Sequence, residues 1–107
     1  MKRYISNFTI LPDGTELINH ITTLGDDGKL MSILPFDREL GNTRYVPTVL
    51  CVARAADCAQ VEKVFKEASS RERFAELLCQ GGMVAPQEGE KTLVLCLDFR
   101  TKIINEI

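Results

Sequence analysis

Two apolar, β-forming runs, residues 16–24 (ELINHITTL) and 29–34 (KLMSIL), are separated only by Gly25-Asp26-Asp27-Gly28. Glycine reaches the positive φ that a tight reversal needs, and aspartate side chains stabilise such turns locally. The two runs are therefore expected to pair as a β-hairpin. Upstream, residues 4–11 (YISNFTIL) alternate imperfectly and end at the turn signal Pro12-Asp13-Gly14, so a strand should precede the hairpin. Downstream, Pro35 and the run FDRELGNT form a loop. Residues 44–53 (RYVPTVLCVA) are apolar enough for a buried strand, and Pro47 puts its first part at an edge or a bulge.

The period then changes. Asp57 with Gln60 fits a capping-box start, and Val61, Val64, Phe65 and Ala68 follow at helical spacing. Ser69 with Glu72 offers a second cap ahead of Phe74, Leu77 and Leu78, and Gly81-Gly82 ends the segment. Residues 57–80 thus read as two short helices or one kinked helix. A helix-turn-helix reading is disfavoured, because Arg71 and Arg73 are flanked by Glu72 and Glu76. After a Pro- and Gly-bearing connector, TLVLCLDF (92–99) and KIINEI (102–107) form a closing hairpin around a turn at 98–101. Strands, helices, then strands make an α+β pattern, with terminal strands sharing one sheet. The 107 residues fit one domain over 1–107: strands over 1–55, a helical insert at 57–80 and closing strands over 91–107.

Several functions lack support. Thirteen Lys and Arg against fifteen Asp and Glu give a net charge of −2 without a basic cluster, so no nucleic-acid partner is expected. Ser6, Asn7 and Thr9 break up the early apolar residues, which excludes a signal-peptide core. No apolar run approaches the roughly 18 residues of a membrane span, so a cytoplasmic location and no membrane partner follow. Cys51, Cys58, Cys79 and Cys96 have no CxxC spacing and no His nearby. Cys51, Cys79 and Cys96 sit among Val and Leu, and the cysteines read as buried small hydrophobes rather than metal ligands or nucleophiles. The sole histidine, His20, reads first as a half-exposed strand residue. Neither GxGxxG nor GxxxxGK[ST] occurs. No cofactor, metal or catalytic residue is expected.

The remaining candidates are ligand-binding ones. His20 lies on a predicted strand and needs Asp26, Asp27 or Asp37 brought near by folding to form a His-carboxylate site. Asp26 and Asp27, between glycines, read as turn-formers. In PFDREL, Asp37, Arg38 and Glu39 are the densest charged cluster beside apolar residues, and a loop after a strand is a place for a ligand-binding Arg. His20, Asp37 and Arg38 are thus the candidate site residues.

The segments YISNFTIL, DDGKL with Ser32-Ile33, Tyr45-Val46-Pro47 and the tail GMVAPQEGEKTLVLCLDFRTKII together resemble the two ends of metal-dependent amidohydrolases. In that family the ends build a small β-sandwich-like composite domain, mostly of antiparallel strands, around an inserted (β/α)8 barrel that binds the metals. The resemblance covers about two thirds of the chain and leaves no room for a barrel, which needs roughly 200 residues. In the register of the family's first metal motif, Ala53 and Ala55 stand at the two histidine positions, and methyl groups cannot ligate a metal. The resemblance implies a composite domain without hydrolase activity, acting as an interaction or structural module. Apolar surface left by the missing barrel would be covered by the 57–80 helices or by a second copy, so a homodimer or another protein partner is expected. The alternatives are a small-molecule ligand at the 35–40 loop, or an enzyme with an unrecognised site.

Overall fold

The computed structural model describes residues 1–37 and 41–107. In chain order its elements are β1 (Lys2–Ile10), β2 (Glu16–Leu24), β3 (Leu30–Pro35), β4 (Thr43–Tyr45), β5 (Val49–Arg54), a 3-10 turn (Ala55–Asp57), α1 (Cys58–Glu67), α2 (Arg71–Gly81), β6 (Thr92–Asp98) and β7 (Ile103–Glu106). The seven strands form one mixed sheet in the order β3-β2-β1-β5-β6-β7, with β4 also beside β1. First and last strands share this sheet, as expected. Where a sandwich stacks two sheets, all the strands here belong to a single hydrogen-bonded one.

The β2–β3 hairpin forms where the glycines predict it. Gly28 takes φ +78°, its N–H donates to the Gly25 carbonyl at 3.0 Å, and Asp27 Oδ1 accepts the Lys29 N–H at 3.0 Å. The expected strand at 44–53 is divided instead into β4 and β5, with Pro47 in the gap. The first part of β1 pairs in parallel with β4 and its end pairs in parallel with β5. Val46 still donates to the Ile5 carbonyl at 2.8 Å. Pro47 has no N–H with which to continue the ladder.

A further contact curls the sheet. Lys29 and Lys91 form an isolated bridge, Leu30 N–H donates to the Glu90 carbonyl at 2.9 Å, and Thr92 N–H donates to the Gly28 carbonyl at 3.0 Å. The hairpin tip, three strands from β6 along the sheet, therefore touches the start of β6 and partly closes a ring. Inside it Tyr4, Leu24, Leu30, Val46, Leu50, Val52 and Val94 form one apolar cluster.

On the other face of β5 and β6 lie the helices. Val61, Val64 and Phe65 of α1 and Phe74, Ala75 and Leu78 of α2 pack with Ile10, Cys51, Ala53, Leu95 and Leu97. Two caps differ from expectation. Asp57 makes no capping bond to α1, because its carboxylate pairs with Arg54 at 2.8 Å. Ser70 rather than Ser69 caps α2, accepting the Arg73 N–H at 3.1 Å. Gly82, at φ +71°, ends α2 as the Gly81-Gly82 pair predicts.

Phe65, Phe74 and Phe99 tie both helices to the β6–β7 turn, with ring centroids 5.1–6.2 Å apart in tilted and edge-on pairs. Lys102 in that turn donates from Nζ to the carbonyls of Phe65 and Ala68, closing the C-terminal end of α1 with a cation. Asp98 braces the same turn by accepting the Arg100 and Thr101 N–H groups, which holds its carboxyl below the usual carboxylate range, Thr101 contributing most.

Gly14 makes the other helix contact. It has φ +93° in the β1–β2 turn, and a Cβ there would lie 2.7 Å from the Ala75 carbonyl oxygen and 2.8 Å from Cys79 Cβ. Gly14→Ala should therefore combine left-handed strain with a backbone clash and destabilise by about 2 kcal/mol or more. Thermal unfolding followed by circular dichroism should show Tm lowered by roughly 10 °C; an unchanged Tm would mean that α2 does not dock on this turn.

Candidate functional site

The outer face of β1–β3, away from the enclosed cluster, carries a row of apolar side chains. Tyr45 of β4 pairs with Ile5 of β1, Ile5 with Ile21 of β2, and Ile21 with Leu34 of β3. Directly paired residues share a face, so these four side chains form an apolar row across four strands. Ile21 is buried in the middle, whereas Tyr45 and Leu34 at the ends are 55% and 59% exposed. Phe36 and Met31 extend the exposed apolar surface at the β3 edge.

Along this face runs an open groove of about 410 Å³. Ile21 and Thr23 line it from the central strand β2, Arg3 from β1, and Ser32 and Leu34 from β3; Asp37 also borders it. Arg3 is held by a 3.0 Å bond from Nη1 to the Gly41 carbonyl. The groove thus combines apolar side chains with one guanidinium, one carboxylate and two hydroxyls, a composition that suits a small amphipathic ligand.

Of the three candidate residues, Asp37 is exposed and borders the groove. His20 sits half-buried on β2, one residue from Ile21 and hence on the opposite face of the strand, with Nδ1 3.0 Å from the Ile18 carbonyl. No hydrogen bond or ion pair joins His20 to Asp37, Asp26 or Asp27 among the described residues. Arg38 lies outside the described residues, as does Glu39. Asp26 and Asp27 are turn residues, and the N-terminal ammonium bonded to Asp26 depresses its carboxyl pKa.

Arg3, Ile5 and Tyr45 escaped the sequence reading. Each is unremarkable in its own segment, and only the strand register assembles them. The polar face of β1 in YISNFT carries the one available hint, an apolar Ile5 between Tyr4 and Ser6, both of which are buried.

All four cysteines are free thiols. Cys51 is fully buried, and desolvation pushes its thiol pKa well up; desolvation also raises Cys58, with Glu106 and Asp57 adding negative charge nearby. Cys79, expected to be buried, is exposed instead, because Phe74, Ala75 and Leu78 form the inner side of α2. The methyl of Ala53 is buried against the helices.

Compared with protein-family models, with curated proteins and with solved structures, the chain matches none. No helix among the described residues is long and apolar enough to cross a membrane.

The thiol environments predict an order of reaction. In native protein at mildly alkaline pH, iodoacetamide should modify Cys79 first, and Cys51 should react only after denaturation, as read by peptide mass spectrometry. Early modification of Cys51 would contradict its burial under the helices.

Proposed function

We propose that the chain is a non-catalytic interaction module, an amidohydrolase-like composite domain in which two helices replace an inserted barrel, and that it works as a homodimer. The apolar row Tyr45–Ile5–Ile21–Leu34 carries this reading. The insertion point between adjacent antiparallel strands β5 and β6 is filled by α1 and α2, which cover that face in cis. The outer β4–β1–β2–β3 face has no such cover among the described residues, and apolar surface of this kind marks association sites. A second copy laid across the row would bury Tyr45 and Leu34 and create the two-layered, sandwich-like packing of a composite domain.

Native mass spectrometry at micromolar concentration should show twice the 12.0 kDa chain mass. Leu34→Glu, at an exposed position, should return the mass to one chain while leaving the circular dichroism spectrum intact. A wild-type monomer, or a dimer indifferent to Leu34→Glu, would reject the proposal.

A second reading, a small-ligand binding domain at the 35–40 loop, is favoured by Asp37 bordering the groove with Arg3. Its ligand would be small, amphipathic and charged. A metabolite set should then raise Tm saturably, and Arg3→Ala or Asp37→Ala should abolish the shift. Equal stabilisation of wild type and both variants would exclude the groove as its site.

A further inference from the structure

We draw no further inference here: the strongest candidate, the groove along the edge of β3 between Met31, Ile33 and Leu34 and the connector residues Pro86 and Glu88, carries none because nothing in the structure shows what covers it.

Discussion

Leu50, Cys51, Val52 and Ala53, consecutive residues of β5, are all fully buried. Neighbours on a strand point to opposite faces, so both faces of β5 need apolar cover. A chain of this size has few elements to supply it. The helices cover Cys51 and Ala53, while the curled end of the same sheet covers Leu50 and Val52. The helical insert between β5 and β6, the bridge from Lys29 to Lys91 and the curl of the sheet all answer the demand of this one strand.

The same economy decides which surfaces remain open. With both helices committed to β5, β6 and the end of β1, no helix among the described residues is left for the outer face of β1–β3. The apolar row there and the groove beside it are consequences of how the cover is distributed. The curl that closes the second cluster also leaves a seam, where Lys2 and Tyr4 of β1 meet Asp26, Asp27 and Lys91 from distant parts of the chain. An apolar row on the outer face and a seam of mixed charge thus arise from one packing solution, on opposite sides of the sheet.

Much of the architecture was legible locally. The GDDG hairpin, the Pro12-Asp13-Gly14 turn, the helical spacing from Val61 to Leu78 and the closing hairpin all depend on residues near one another, and each stands where its local chemistry puts it. The misreadings have local causes too. Asp57 answered Arg54 instead of the helix, Ser70 took the cap that Ser69 was expected to make, and the exposed side of α2 claimed Cys79. Of the candidate site, the sequence pointed to Asp37 beside the groove but not to Arg3, and it paired Asp37 with a His20 that lies on the opposite face of β2.

By itself the sequence determined where the chain turns, which segments are strands or helices, and that terminal strands and an intervening helical segment combine in an α+β fold. Those outcomes follow from φ preferences, side-chain periodicity and capping, which act over a few residues. Only the tertiary structure decided that β1 pairs in parallel with β4 and β5, that Tyr45, Ile5, Ile21 and Leu34 align, and that Lys2 and Lys91 share a cavity. These depend on strand register and sheet curl, which are selected by the burial of both faces of β5 across the whole chain and leave no signature within any single segment.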